Sequence, residues 1–266
     1  MAGDPSLSMS PLSHVAARLR AAEVVPEPYP HFCLENVFPD AYYQAMLRHL
    51  PESAHYQNLY EVTDLKLDHF RHRDQRDMSP GWTETIAPEI RAFWDDFSDW
   101  FLGHELAVAV LRSFGGPLRE RFGDEPGWPA VAVEAQLIRH REGYFLGPHS
   151  DLWSKIVVVL FYLARDESAA HLGTSIYRPK APGFSCPKSL HHPFEDFIKV
   201  ETAPYRPNTL LAFLRSDRSF HGVEPLTKED AASCDRDLIQ YVLYGKQARE
   251  GQLRARRLAA ASGAQA

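Results

Sequence analysis

The hydrophobic pattern divides the chain into a helical front and a strand-rich back. Residues 12–24 and 39–50 have apolar positions at helical spacing. A helical pattern dense in aromatic residues then runs over residues 88–122, with breaks near Gly103 and Gly115. We therefore predict helices over these regions and a short edge strand over residues 31–34.

The period changes after Trp128, where runs of β-branched and aromatic residues begin. The run over residues 156–163 is apolar throughout, as expected for a strand buried on both faces. Turn signals separate the runs without helix-length spacers, which favours an antiparallel sandwich or barrel over βαβ units. The predicted strands cover residues 131–138, 156–163, 175–177, 197–201, 210–214 and 238–244.

This pattern predicts the organisation of a single domain. We expect a disordered leader over residues 1–10, a helical support region over 11–130, a strand-rich core over 131–247 and a tail over 248–266. The polar segment 51–82 is predicted as a long surface excursion. Together with segment 165–196 it is a candidate lid, because long loops in compact domains are often functional.

The composition excludes several classes of protein without naming a function. Of the 266 residues, 44% are hydrophobic and 24% are charged, near the average for globular proteins. The formal net charge of −6 indicates neither a nucleic acid nor an anionic membrane as a partner. We expect a small-molecule or peptidyl substrate, and the sequence leaves the oligomeric state open.

The three cysteines, Cys33, Cys186 and Cys234, are too few and too scattered for a disulfide framework. No Cys-x-x-Cys pair supports a thiolate zinc site. The leader has no apolar centre typical of a signal peptide, and no apolar run approaches the roughly 20 residues that span a bilayer. A soluble, cytoplasmic protein with reduced thiols is the expectation.

Candidate chemistry is found at the start of the strongest predicted strand. With 13 histidines and 35 acidic residues, a histidine followed two positions later by an acid is expected by chance. The pair His149 and Asp151, however, ends a glycine-containing loop and directly precedes the apolar strand, and His221 follows a later strand. Residues i and i+2 of an extended chain point to the same side, so His149 and Asp151 can chelate one ion together.

Two imidazoles and one carboxylate form the facial triad of non-haem Fe(II) oxygenases. Arg236 precedes the last predicted strand, and an arginine directed into an apolar barrel needs an anionic partner. A guanidinium group suits a carboxylate, so a dicarboxylate could bind this arginine at one end and the metal at the other. Rivals for this role are Lys228, Arg215 and Arg218.

Nearly half of the chain, residues 131–245, resembles the Fe(II)- and 2-oxoglutarate-dependent dioxygenases of the prolyl-hydroxylase-like branch. The resemblance is carried by the loop before His149-Ser150-Asp151, segments 171–177 and 206–214, His221-Gly222-Val223 and Arg236. It implies an α+β fold with a double-stranded β-helix core, a jelly-roll related to the cupins, and N-terminal helices packed on one face.

The same resemblance implies residue roles and an activity. His149, Asp151 and His221 would bind catalytic Fe(II), and Arg236 would bind the distal carboxylate of 2-oxoglutarate. Tyr144 and Lys155 are further candidates for the co-substrate pocket. With O2, the enzyme would hydroxylate an unactivated C–H bond of an amino acid, a small metabolite or a peptidyl or carrier-bound residue, releasing succinate and CO2.

Two alternatives stay open: a cupin-like metalloenzyme that uses no 2-oxoglutarate, and a ligand-binding barrel without catalysis. Two further histidine pairs, His69 with His72 and His191 with His192, are predicted as solvated loop residues.

Overall fold

The computed structural model describes residues 10–63, 66–125, 128–187, 191–233 and 235–261. Residues 1–9 of the predicted leader, residues 262–266 of the predicted tail and Cys234 lie outside these ranges. No described helix has the length and apolar character needed to cross a membrane.

The helices concentrate in the front half of the chain and the long strands in the back half. The helices are α1 (Pro11–Arg20), α2 (Asp40–Arg48), α3 (Leu59–Val62), α4 (Pro88–Phe101), α5 (His104–Ser113), α6 (Gly115–Phe122), α7 (Lys228–Ser233) and α8 (Lys246–Ala261). The strands are β1 (His31–Glu35), β2 (Gln57–Asn58), β3 (Arg73–Asp77), β4 (Val131–His140), β5 (Leu146–His149), β6 (Lys155–Tyr162), β7 (Thr174–Pro179), β8 (Phe197–Ala203), β9 (Thr209–Leu214), β10 (His221–Val223) and β11 (Arg236–Gly245).

These strands form two antiparallel sheets. The larger sheet has the order β1-β9-β6-β11-β4-β3-β2, and the smaller sheet has the order β5-β10-β7-β8. Strand β1 lies at the edge of the larger sheet, as the sequence predicted. Two antiparallel sheets with crossing connections are the double-stranded β-helix architecture, so the predicted fold class is confirmed.

The larger sheet has a core on each of its faces. Alternate residues of β6 belong to different cores: Val157, Val159 and Phe161 pack with the helices, while Val158, Leu160 and Tyr162 face the smaller sheet. This double burial explains why β6 is apolar at every position. Helix α4 covers the outer face with aromatic side chains, and Phe101 lies 5.2 Å from Phe161 and 5.1 Å from Tyr241 between ring centroids.

The segment 51–82 is not only a surface excursion, and here the prediction was wrong. Its strand β3 pairs antiparallel with β4 and extends the larger sheet. The sequence Arg73-Asp74-Gln75-Arg76-Asp77 has no apolar alternation, so nothing local signals a strand. The strand forms because it satisfies the backbone groups along the otherwise open edge of β4.

Candidate metal centre and co-substrate pocket

Strands β5 and β10 bring the three predicted metal ligands together. His149 is the last residue of β5, His221 is the first of β10, and the two are direct partners in the antiparallel pairing. Asp151 follows two residues after His149. One ligand atom from each of the three side chains lies within 4.8 Å of the other two, and all three residues are buried.

Backbone carbonyls orient both imidazoles. His149 Nδ1 lies 3.1 Å from the carbonyl oxygen of Gly147, and His221 Nδ1 lies 3.0 Å from that of Ser219. A carbonyl accepts only, so each Nδ1 carries the proton and each Nε2 keeps its lone pair. Burial lowers the pKa of both imidazoles, that of His149 well below the ordinary value, which favours the neutral form that binds metals.

The two oxygens of Asp151 have different surroundings. Oδ1 accepts a hydrogen bond from the Lys155 ammonium at 2.6 Å. Oδ2 is buried without a hydrogen-bond partner among the described residues, and lies 3.5 Å from His221 Nε2. Burial alone would raise the pKa of Asp151, but Lys155 and the two imidazoles outweigh it and hold the pKa well below its usual range.

The donor set of this cluster suits a ferrous ion. Two neutral imidazole nitrogens and one ionised carboxylate oxygen occupy one side of the cluster, which matches the two-histidine, one-carboxylate arrangement. The partnerless Oδ2 of Asp151 is an orphaned buried acceptor, and a cation bound there would satisfy it.

Arg236, the first residue of β11, is only 1% exposed. Its guanidinium donates to the carbonyl oxygen of Leu172, to His140 Nδ1 at 2.7 Å and to Thr174 Oγ1 at 3.0 Å. Within the described ranges no carboxylate forms an ion pair with it. Because a guanidinium has five N–H donors, two remain for a ligand. An anion is therefore the missing partner of this buried charge.

His140 is a pocket residue that the sequence reasoning missed. Its Nδ1 accepts from Arg236, so the ring proton belongs on Nε2, which is buried without a partner in the described structure. Burial, then Arg236 and Arg73, lower the pKa of His140 well below its ordinary value. The Tyr144 ring stacks on it at 3.7 Å between centroids, and the Tyr144 hydroxyl is likewise buried and partnerless.

One cavity of about 390 Å³ connects the metal ligands with Arg236. Tyr144 and Lys155 both line it, and Lys155 contacts Asp151. Lys155 pairs with Tyr244 near the end of β11, whereas Arg236 begins that strand, so the metal ligands and the free guanidinium lie toward different ends. Ile138, Leu160 and Leu238 form an apolar part of the wall between these ends, next to the polar Gln240.

The predicted rivals of Arg236 lie outside this cavity wall. Arg215 is buried, but its Nε donates to the backbone oxygen of Asp151 at 3.0 Å and its guanidinium pairs with Asp217 at 2.7 Å. Arg218 and Lys228 are not among the cavity-lining residues. Arg236 is therefore the best placed of the four for an anion in the cavity.

The loop histidines correct a second prediction. His191, predicted as solvated, lines the cavity and lies 5.1 Å from the His149 ring between centroids. His69 packs 4.3 Å from the Phe145 ring, and burial lowers its pKa. Histidines in a polar loop carry no sequence signal for these positions, which depend on how segments 51–82 and 165–196 cover the cavity.

Comparison with known proteins identifies the fold. No family model and no curated protein sequence matches the chain. Among solved structures, a prolyl hydroxylase from Trichoplax adhaerens, in complex with a hypoxia inducible factor peptide fragment, aligns with a TM-score of 0.51 and 13% identity over 90% of this chain and 91% of that one.

Two other solved structures align at lower scores. A Pseudomonas putida prolyl-4-hydroxylase has a TM-score of 0.46 and 15% identity over 86% of this chain and 98% of that one. HygX from Streptomyces hygroscopicus, with nickel and 2-oxoglutarate bound, has a TM-score of 0.44 and 15% identity over 80% and 82%. The chain thus has the fold of a prolyl hydroxylase, which confirms at the level of the fold the predicted resemblance to the Fe(II)- and 2-oxoglutarate-dependent dioxygenases.

Proposed function

We propose that the protein is an Fe(II)- and 2-oxoglutarate-dependent oxygenase that hydroxylates an unactivated C–H bond. One observation carries the proposal: a buried His149, Asp151 and His221 cluster shares its cavity with a buried guanidinium that lacks a carboxylate partner in the described structure. A ligand with a metal-chelating end and a distal carboxylate satisfies both features at once, and 2-oxoglutarate has this chemistry.

Two buried side chains offer donors for the distal carboxylate. Arg236 has two N–H groups that remain for a ligand, and the Tyr144 hydroxyl has no hydrogen-bond partner in the described structure, while His140 orients Arg236 through Nδ1. All of them are buried, so they are already desolvated and fixed by packing before the ligand binds. Charge-assisted hydrogen bonds of this kind are roughly twice as strong as neutral ones.

Around the proposed metal site, the chain fixes the orientation of the ligand side chains and keeps both imidazoles neutral. The carbonyl oxygens of Gly147 and Ser219 fix the two rings, and Lys155 fixes one oxygen of Asp151. Bound iron would supply activation of O2, coupled to oxidative decarboxylation of 2-oxoglutarate to succinate and CO2. Ile138, Leu160 and Leu238 give the space between the two ends an apolar surface, which would disfavour water beside bound ligands.

For the substrate we propose an amino acid, a small metabolite or a residue held on a peptide or carrier. Segments 51–82 and 165–196 both contribute cavity-lining residues, including Leu59, Phe70 and His191, which supports their role as a cover over the substrate. The Trichoplax adhaerens enzyme, of the same fold, was solved with a peptide fragment, which supports including peptides among the candidates.

The test is an anaerobic titration of the protein with Fe(II) and then 2-oxoglutarate, followed by the visible metal-to-ligand absorption band. We expect the band in the wild type and its loss in Asp151→Ala. On admission of O2, succinate should form from 2-oxoglutarate in the wild type and not in Asp151→Ala. A folded wild-type protein that binds neither Fe(II) nor 2-oxoglutarate would refute the proposal.

The same titration separates the alternatives. A protein that requires metal but turns over without 2-oxoglutarate, and is unaffected by Arg236→Ala, would be a cupin-like metalloenzyme of another kind. A protein that binds a ligand tightly and converts nothing would be a binding barrel.

A further inference from the structure

A second arginine lines the cavity on the side of the β2–β3 extension. Arg73 begins β3 and is the direct partner of His140 on β4, while His140 is the direct partner of Arg236 on β11. Direct partners in antiparallel strands project to the same face of the sheet. Two guanidinium groups therefore flank one histidine on the cavity side, and the 2-oxoglutarate site described above uses only one of them.

The charge of Arg73 is not matched by an acid. Its NH2 donates to the side-chain oxygen of Gln136 at 3.2 Å, and its Nε is buried without a hydrogen-bond partner among the described residues. No carboxylate in the described part of the chain forms an ion pair with it. The neighbouring acid Asp74 is engaged elsewhere, because it accepts hydrogen bonds from Asn58 and Arg141, each at 2.9 Å.

The two guanidinium groups bind different residues of β4. Arg236 contacts His140 itself, whereas Arg73 reaches the side chain of Gln136, four residues away along β4. Four residues of a strand span about 13 Å. Gln136 pairs with Gln240 in the middle of β11, and Gln240 also lines the cavity. Arg73 thus lines the cavity beside the Arg236 end, and its guanidinium is held by a residue at the register of the middle of β11.

We propose that Arg73 binds an anionic group of the primary substrate, so that the enzyme acts on a carboxylate-bearing molecule held beside the 2-oxoglutarate site. This inference rests on the proposed function and narrows its substrate class. Arg73 lies in the same segment, 51–82, as Leu59 and Phe70, which also line the cavity. The segment that covers the substrate would therefore also bind its anionic group. The arrangement selects acids over neutral analogues of the same shape, because a neutral analogue leaves the guanidinium unpaired.

The test uses matched probes under anaerobic conditions, with Fe(II) and saturating 2-oxoglutarate occupying the Arg236 site. The probes are the common L-amino acids and short aliphatic and aromatic carboxylic acids, each beside its primary amide. Calorimetry measures their binding without turnover. We expect at least one acid to bind the wild type about tenfold or more tightly than its amide. In Arg73→Gln this preference should fall to about twofold or less, and Arg73→Lys should restore part of it.

A matched control and a separate readout distinguish this proposal from the proposed function. Arg71→Gln removes the same charge from an exposed position on the same segment, where Arg71 stacks on Tyr60, and should keep the wild-type preference. The 2-oxoglutarate affinity should fall tenfold or more in Arg236→Gln and less than threefold in Arg73→Gln. Absence of 2-oxoglutarate binding in the wild type would instead refute the proposed function.

Three results would overturn the role of Arg73. The first is that no acid binds the wild type better than its amide. The second is that the preference for the acid is kept in Arg73→Gln. The third is that Arg73→Gln weakens 2-oxoglutarate binding as much as Arg236→Gln does. The last result would assign Arg73 to the co-substrate site. Thermal unfolding of each variant confirms that a lost preference does not reflect a lost fold.

Discussion

Lys155 and Asp151 form a buried ion pair in which the ammonium nitrogen lies 2.6 Å from Oδ1. Their side chains are only 10% and 8% exposed. The two carboxylate oxygens therefore differ: Oδ1 is bound by the lysine, while Oδ2, on the side of His221, has no hydrogen-bond partner among the described residues. Lys155 is thus a positioning residue for the proposed metal ligand, although the sequence suggested it for the co-substrate pocket.

Replacing this lysine should destabilise the protein before any metal is added. Lys155→Met leaves Asp151 buried without its main counter-charge, and breaking a buried pair costs about 3–5 kcal/mol. Denaturant unfolding of the metal-free protein measures the difference in the free energy of unfolding.

Lys199→Met is the matched control for this substitution. Lys199 pairs with Glu224 at 2.8 Å, but both side chains are about half exposed. Loss of an exposed pair should cost less than about 1 kcal/mol. An equal loss in the free energy of unfolding in the two variants would show that the buried pair stabilises the protein no more than an exposed one.

His140 should make the stability of the metal-free protein depend on pH. Burial and the guanidinium groups of Arg236 and Arg73 lower the pKa of His140 well below its ordinary value. Below about pH 6.5 this histidine binds a proton in the unfolded chain but stays neutral in the folded protein. The free energy of unfolding therefore falls as the pH falls through that value. For this one group the loss between pH 6.5 and 5.5 is about 1 kcal/mol.

His140→Gln keeps a side-chain oxygen that can accept from Arg236 but removes the titration. We expect the decrease in the free energy of unfolding between pH 6.5 and 5.5 to shrink by about 1 kcal/mol relative to the wild type. Each protein is compared with itself at pH 8, which removes any constant effect of the substitution. An unchanged pH dependence would contradict the assignment of a neutral, buried His140.

Gly222 should be required for the pairing that joins the two metal-binding histidines. It follows His221 in β10, and a Cβ there would lie 2.5 Å from the carbonyl oxygen of Leu146 on β5 and 3.3 Å from the Tyr177 ring. Gly222→Ala must therefore displace one strand from the other. We expect a 10- to 100-fold loss of Fe(II) affinity, typical of changes that misorient metal ligands, in an anaerobic titration.

Gly116→Ala serves as the control for the glycine substitution. Gly116 lies in helix α6, and no atom is found within 4 Å of the Cβ that alanine would add. Its Fe(II) affinity should equal that of the wild type, with stability unchanged or raised by up to about 1 kcal/mol. Wild-type affinity in Gly222→Ala would show that the strands tolerate the shift.

The sequence predicted those elements whose pattern is local. The apolar run that became β6 and the aromatic stripe that became α4 are visible because burial of one or both faces dictates residue type. The spacing of His149 and Asp151 is also local, and the structure brings both residues to His221, as expected. The short strands β5 and β10 were missed because Gly147, Pro148 and Gly222 are typical of loops.

Other pocket residues had no sequence signal at all. His140 and Arg73 are 67 residues apart along the chain. They are adjacent only because β3 and β4 lie side by side, and β11 brings Arg236 to the same place. Strand β3 itself is polar and forms by pairing with an existing edge.

The sequence by itself determined the alternation of apolar and polar positions, and with it the two-sheet core and the identity of three metal-ligand candidates. The alternation and the spacing of His149 and Asp151 depend on neighbours a few residues apart, which the chain specifies directly, whereas His221 entered through its place after a later strand and the resemblance to a known family. Only the tertiary structure decided that, among the described residues, Asp151 Oδ2 has no hydrogen-bond partner and the guanidinium groups of Arg236 and Arg73 form no ion pair. Whether a buried charge is paired depends on strands that meet from distant parts of the chain, and that is settled by packing.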